Sequence, residues 1–173
     1  DINKYWKFKD KIKYIVWDDC PKNIEKISEH DSEKVKENKF ITNAMKRENG
    51  QRNYIINGIE EASEEDLILL SDLDEIPSLE NFDFSNIKEK IIIFEQIMCY
   101  YKFNLAIPNF KWYGTRACLK KNLKNPQWLR NIKARKYPLF RIDILFNDMK
   151  FNDIKLIKNG GWHFTNIKNQ KNL

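Results

Sequence analysis

An α/β fold, a sheet flanked by helices, is what this sequence predicts, on three observations. Apolar runs of strand length occur at Leu67 to Leu70 and Ile91 to Phe94, a helical apolar period from Ile41 to Ala62 precedes them, and acidic residues follow directly on the first run. Sheets with parallel strands place their sites at the carboxyl ends of those strands, so acids in that position point to chemistry.

Taken in order, Lys13 to Trp17 (K-Y-I-V-W), β-branched and aromatic and closed by Asp18, Asp19 and Pro21, predicts a buried strand ending in a loop. The Lys- and Glu-rich stretch from Lys22 to Asn38 predicts a solvent-facing segment. A helix is expected over Ile41 to Ala62, where Ile41, Ala44, Met45, Ile55, Ile59 and Ala62 share one face at about 100° per residue; Glu64, Glu65 and Asp66 end it in an acidic loop. Leu67 to Leu70 predicts a central strand covered on both faces. There follow a short helix near Leu79 to Asn86 and a strand from Ile91 to Phe94, continuing into Cys99 to Phe103. Later strands are expected around Trp112 to Leu119 and Phe140 to Phe146, with a helix near Gln127 to Lys136.

The chain has 173 residues, which predicts a single domain over 1–173; 42% apolar, 13% aromatic and 32% charged residues, with five Gly and five Pro, predict a packed core rather than disorder. Lys and Arg number 31 against 25 Asp and Glu, and the net charge of +6 favours an anionic partner: a nucleotide, a polyphosphate or an acidic surface. These basic residues are interleaved with acids along the chain, which argues against a nucleic-acid module. Cys20, Cys99 and Cys118, odd in number and without C-x-x-C spacing, suggest neither a zinc knuckle nor a disulfide framework and read as small buried apolar residues. No apolar run approaches the ~18 residues of a membrane span, and the N-terminus is too polar for a signal peptide. A chain that begins at Asp1 is expected to be a fragment or a processed form. Its compartment is left open: cytoplasmic for a bacterial or viral source, Golgi lumen if a preceding segment carried an anchor.

Asp72-Leu73-Asp74-Glu75 is the strongest local signal. On an extended segment alternate residues point the same way, so Asp72 and Asp74 present two hard carboxylates to one spot, suited to Mg²⁺ or Mn²⁺ and through it to phosphate. Three clustered acids also repel unless a cation is present. A second signal is Glu48 and Arg52, charges inside the apolar stripe of the expected helix; they form either a paired structural bridge or a site-facing pair in which Arg52 meets phosphate or Glu75. The third is Gly160-Gly161-Trp162-His163-Phe164, with glycines for close backbone approach, a stacking face at Trp162 and an imidazole at His163.

Together the segments R-E-x-x-Q-R-N-x-I-x-x-G-I (Arg47 to Ile59), L-I-L-L-S-D-L-D-E-I-P (Leu67 to Pro77) and G-G-W-H-F (Gly160 to Phe164) resemble glycosyltransferase family 17 in order and spacing. Asn104, Trp112 and Arg130 stand in matching surroundings, and the similarity runs from Ile12 to Phe164. The resemblance implies a GT-A-like, Rossmann-like mixed sheet flanked by helices, partial at the N-terminus because the first nucleotide-binding unit is lacking. It also implies a nucleotide-sugar donor, UDP-N-acetylglucosamine in the family's named enzyme, a divalent cation (Mn²⁺ or Mg²⁺) at the D-x-D, inversion at the anomeric carbon and a glycan acceptor. Carried over, Asp72 and Asp74 match the D-x-D, Glu75 its following acid and His163 the histidine of the W-H-F motif, a third metal ligand in expectation.

The expected activity is thus a metal-dependent, inverting transfer of N-acetylglucosamine to a glycan hydroxyl, the cation neutralising the departing diphosphate. Glu48, Arg52, Glu75, Arg116 and Trp162 are the expected donor-binding residues, Arg52 and Arg116 through charge-assisted bonds to phosphate. Glu95 and Asp143 are the expected candidates for the general base, and Tyr100, Tyr101, Trp112 and Tyr113 offer rings to acceptor sugar or to the core. The competing reading is a haloacid dehalogenase-type phosphatase or phosphotransferase with Asp72-x-Asp74 as nucleophile and acid, although Ile76-Pro77 replaces that family's following residues.

Overall fold

The computed structural model describes residues 2–80, 82–135, 137, 147–151 and 153–167. It is an α/β protein with a mixed sheet and few helices, and it divides into two compact units: Asp1–Ala62 with Asn125–Gln127, and Ser63–Lys124 with Trp128–Leu173.

In the first unit a 3₁₀ helix, Ile2–Lys11, leads into an extended stretch and then into α1, Glu33–Tyr54, which tightens into a 3₁₀ turn at Ile55–Gly58. The helix begins earlier than its apolar period predicts: Ser32, extended at φ −62° and ψ 155°, holds the N-cap position without a side-chain bond to the first turn, where Glu33 faces the helix dipole favourably. The apolar stripe does not face a core: Ile41 and Met45 are both 56% exposed. The inward face is polar instead. Asn43 accepts from the Glu25 backbone N–H (2.9 Å) and donates to the Glu25 carbonyl (2.8 Å), and one helical turn to either side Lys39 and Lys46 donate to the Lys26 and Asn23 carbonyls. An extended strap with no ladder must satisfy its backbone groups somewhere, and these side chains do so.

The strap includes Lys13 to Trp17, expected as a buried strand. It pairs with no strand among the described residues and is half-buried: Ile15 and Trp17 turn inward, and Cβ atoms at Gly58 and Gly50 would come within 2.5 and 2.9 Å of them. Tyr14 and Val16, on the alternate side, are 87% and 60% exposed.

The second unit carries the sheet: β1 (Leu67–Leu70), β2 (Glu75–Pro77), β3 (Ile91–Tyr100), β4 (Ala106–Leu119), β5 (Ile154–Ile157) and β6 (Gly161–Thr165), in the order β1-β4-β3-β6-β2 with β5 also on β3. β3 and β4 form a long antiparallel hairpin, while the other edge of β3 is shared, β5 running parallel along Ile91 to Phe94 and β6 parallel along Ile97 to Tyr100. The outermost pairs, β1 with β4 and β2 with β6, are antiparallel.

Among the described residues Leu67 to Leu70 is therefore an edge strand rather than a central one, and of its four residues only Leu70 is buried. The strand covered on both faces is Ile91 to Phe94, every residue fully buried. Ile91 and Ile93 pack with Leu70, Cys118, Trp128, Leu129, Ile132 and Ile154 on one side; Ile92, Phe94 and Ala117 pack on the other. The helix expected near Leu79 to Asn86 is absent from the described part of that stretch: Asp83 accepts from both the backbone N–H and the hydroxyl of Ser85, a local turn that competes with helix. α2 is shorter than expected, Pro126–Asn131, opening on the proline that suits a first helical turn. The strand expected over Phe140 to Phe146 lies outside the described residues.

Candidate functional site

β1 delivers the chain to Ser71, whose hydroxyl lies 2.7 Å from that of Thr115 on β4. The next four residues do not stay extended. The Glu75 N–H donates to the Asp72 carbonyl (3.0 Å), closing a turn over Asp72-Leu73-Asp74-Glu75 with Leu73 wholly exposed. β2 starts at Glu75 and pairs with β6, Glu75 opposite His163, Ile76 opposite Trp162 and Pro77 opposite Gly161. The Phe164 N–H donates to the Asp74 carbonyl (2.8 Å), so the ladder extends into the turn. Gly161 makes this pairing possible: its φ of +121° is ill suited to a side chain, and a Cβ there would sit 2.1 Å from the Ile76 carbonyl oxygen.

The turn divides the carboxylates. Asp72 and Glu75 converge on Arg130, which α2 presents from between the buried residues Leu129 and Ile132. Arg130 Nη2 donates to Asp72 Oδ2 (2.7 Å) and to Glu75 Oε1, and Nη1 donates to Glu75 Oε2 (2.9 Å) and to the Gly114 carbonyl (2.7 Å). The Glu75 side chain has no exposed surface and also accepts from the Trp112 indole N–H (2.8 Å) and the Asp72 backbone N–H (3.2 Å). A buried carboxylate met by a planar guanidinium fork and two further donors is fully satisfied. Beneath it, Gln96 exchanges bonds with Thr115, its Nε2 donating to Oγ1 (3.2 Å) and its Oε1 accepting from the backbone N–H (3.3 Å). Gly114 leaves room for both, since a Cβ there would stand 1.9 Å from Gln96 Oε1 and 2.7 Å from the Glu75 carboxylate.

Asp74 goes the other way. Its Oδ2 lies 3.3 Å from His163 Nε2, and its side chain is 44% exposed while that of His163 is 8% exposed. The imidazole stacks on Trp112, with ring centroids 4.5 Å apart and planes within 14°. His163 Nδ1 is buried with no hydrogen-bond partner among the described residues. Trp112 thus joins the two halves, donating to Glu75 and stacking on His163.

The remaining expected site residues lie as follows. Glu95 accepts from Tyr113 Oη (3.4 Å) and pairs with Lys111 (3.0 Å), whose pKa the Glu95 carboxylate raises. Alternation along β3 sets Glu95 on the face opposite Gln96, and Trp162, 43% exposed, lies on the face of β6 opposite His163. Arg116 is buried on β4, opposite Leu70 and Ile93 in register. Glu48 and Arg52 belong to the first unit and form the paired bridge, Glu48 Oε1 to Arg52 Nη2 at 2.7 Å, with Arg52 Nη1 donating to Gln127 Oε1 (2.6 Å). Asp143 lies outside the described residues. Among the described residues no three His, Cys, Asp or Glu side chains converge as a ready-made metal cage; Asp74 and His163 supply two donors.

Sequence reasoning did not assign roles to Arg130, Gln96, Thr115 or Gly114. The signal for Arg130 was present: it is a charge inside the apolar run Trp128, Leu129 and Ile132, the same pattern that marked Arg52. No family model, curated protein or solved structure matches the chain.

Proposed function

We propose that the chain is a glycosyltransferase domain akin to family 17, moving a sugar, N-acetylglucosamine from UDP-N-acetylglucosamine in the reading favoured by its motifs, onto a glycan hydroxyl. One observation carries this reading: the β2–β6 ladder brings D-L-D-E-I-P and G-G-W-H-F, far apart in sequence, into register, with Asp74 and His163 in contact. Trp112 and Arg130, which stand in matching surroundings in the same resemblance, close on Glu75 between them.

The donor set suits a divalent ion at Asp74 and His163, a hard oxygen and an imidazole nitrogen, with Asp74 open to solvent. Asp72 suits it less well, because a guanidinium already neutralises it. When bound, Mn²⁺ or Mg²⁺ would supply Lewis-acid neutralisation of the departing diphosphate. The chain's own residues hold the geometry. Glu75 and Arg130 fix the turn that carries both aspartates, and Trp112 fixes the plane of the His163 ring. Glu75 therefore acts on a donor through the turn it holds rather than by touching the sugar.

Calorimetric titration of UDP-N-acetylglucosamine, UDP-glucose and GDP-mannose, with and without Mn²⁺, tests the proposal. The expected result is Mn²⁺-dependent binding of the UDP-sugar, weakened about tenfold or more by Asp74→Ala and by His163→Ala. Metal-independent binding, or binding indifferent to Asp74→Ala, overturns it. Phosphate release from an aryl phosphate that Asp72→Asn abolishes would put the phosphatase reading in its place.

A further inference from the structure

The first unit carries a surface that the sugar-transfer reading does not use. Between residues 4 and 16, six large apolar side chains stand in solvent: Tyr5 (50% exposed), Trp6 (58%), Phe8 (44%), Ile12 (56%), Tyr14 (87%) and Val16 (60%). Five lysines, Lys4, Lys7, Lys9, Lys11 and Lys13, alternate with them against a single acid, Asp10. Folded proteins seldom leave so much apolar surface together without something to cover it.

The arrangement of the two kinds of side chain narrows the choice. At three residues per turn the 3₁₀ helix sets Lys4, Lys7 and Asp10 in one row, Tyr5, Phe8 and Lys11 in the next, and Trp6 and Lys9 in the third, so the two neighbouring rows that carry the rings also carry lysines. Lys9 Nζ lies 4.2 Å from the Trp6 ring centroid, Lys7 Nζ 4.9 Å from that of Phe8 and Lys4 Nζ 5.9 Å from that of Tyr5. Among the described residues no carboxylate pairs with Lys4, Lys7, Lys9 or Lys11; Lys13 alone reaches one, Glu61 at 3.2 Å. The extended stretch prolongs the surface, with Ile12, Tyr14 and Val16 outward, Trp17 inward against α1 and Ile15 inward against the 3₁₀ turn that follows it.

We propose that residues 4–16 are a docking surface for an anionic lipid bilayer. Amphipathic rings with one wet edge sit at the headgroup level, aliphatic side chains enter just below it, and lysines reach up to lipid phosphates; this segment offers all three. Lysines that meet no carboxylate among the described residues, set among rings, supply the charge complementarity. Ile12 and Val16 favour lipid over a nucleic acid, which would meet rings by stacking but has no counterpart for an aliphatic row. The mode is lying on the membrane rather than crossing it, since no helix among the described residues is long and apolar enough to cross one.

Co-sedimentation of the full chain with vesicles tests this independently of any sugar chemistry. Vesicles of phosphatidylcholine alone are compared with an equimolar mixture of phosphatidylcholine and phosphatidylglycerol. The expected result is partition onto the mixed vesicles that falls with added salt, weakens about fivefold for each charge removed in Lys7→Gln and Lys9→Gln, and is lost in Trp6→Ala/Phe8→Ala. Phe103→Ala, an exposed ring in the second unit, should change nothing. All these side chains are exposed, so circular dichroism should show unaltered helix content. Three results overturn the proposal: no partition onto phosphatidylglycerol vesicles, partition indifferent to the variants, or a chain that ignores vesicles while Trp6→Ala/Phe8→Ala abolishes self-association or oligonucleotide binding.

Discussion

Arg130 faces two carboxylates and a carbonyl, and its removal should be felt more than that of any exposed ion pair. Arg130→Met leaves Glu75 as an uncompensated buried charge, an expected loss of about 3–5 kcal/mol in urea unfolding. Glu75→Gln on top of it should recover part of that loss. Arg130→Lys should not, because a point charge cannot replace a planar fork that reaches both oxygens of Glu75. Burial makes a second residue inert: Cys118, at 0% exposure, has its thiol pushed up to about 12, whereas Cys20 is exposed. Iodoacetamide at neutral pH should alkylate Cys20 in the native chain and spare Cys118 until the protein is unfolded.

At the scale of elements, two strands and one helix make separate predictions. The β2–β6 ladder depends on Gly161, so Gly161→Ala should cost at least the ~1–3 kcal/mol of a strained backbone conformation. It should lower the melting temperature and, on the proposed function, the affinity for a UDP-sugar together. The strap on α1 has its own signature with acid. Lys39 holds the Asp31 carboxyl below its ordinary value, with help from the Ser28 N–H, and Lys46 does the same for Glu25. A depressed carboxylate contributes stability that is present above its unfolded pKa and is lost as pH falls through its folded one. Helical ellipticity of the first unit should therefore fall on acidification from about pH 5 downward, with less pH dependence in Lys39→Met/Lys46→Met.

The same elements show what the sequence made legible. Ile91 to Phe94 and Trp112 to Leu119 could be read from their own residues; the strand at Gly161 could not, since its paired glycines signal close backbone approach and not pairing with β2. Whether Leu67 to Leu70 or Ile91 to Phe94 is central could not, since both are fully apolar and the answer depends on which strands lie alongside. The start of α1 was hidden because its inward residues, Lys39, Asn43 and Lys46, are polar, chosen to bind backbone carbonyls rather than to fill a core. At the site, Asp74 and His163 were both singled out by the sequence, and the structure sets them 3.3 Å apart. The turn that parts Asp72 from Asp74 was not legible, because it depends on a guanidinium from another element and on the ladder to β6.

For the molecule as a whole, stability should be unevenly distributed. Apart from Pro126, every buried apolar side chain in the described core belongs to the second unit, while α1 in the first buries only the polar Asn43. Native-state hydrogen exchange should find the slowest amides at Ile91 to Phe94 and at Ala117 and Cys118, exchanging only on global opening, and α1 amides exchanging by local opening at a much lower free energy. Equal protection in both units would contradict this.

The late position of β6 has a consequence for how the protein is made. A ribosome releases the acidic turn, the indole and the guanidinium well before the imidazole that faces Asp74. Until Gly161 to Thr165 emerge, β2 has no ladder and half of one edge of β3 stands bare. A nascent polypeptide stalled before that point would be a sticky, chaperone-seeking species in which Asp74 and His163 have not yet met.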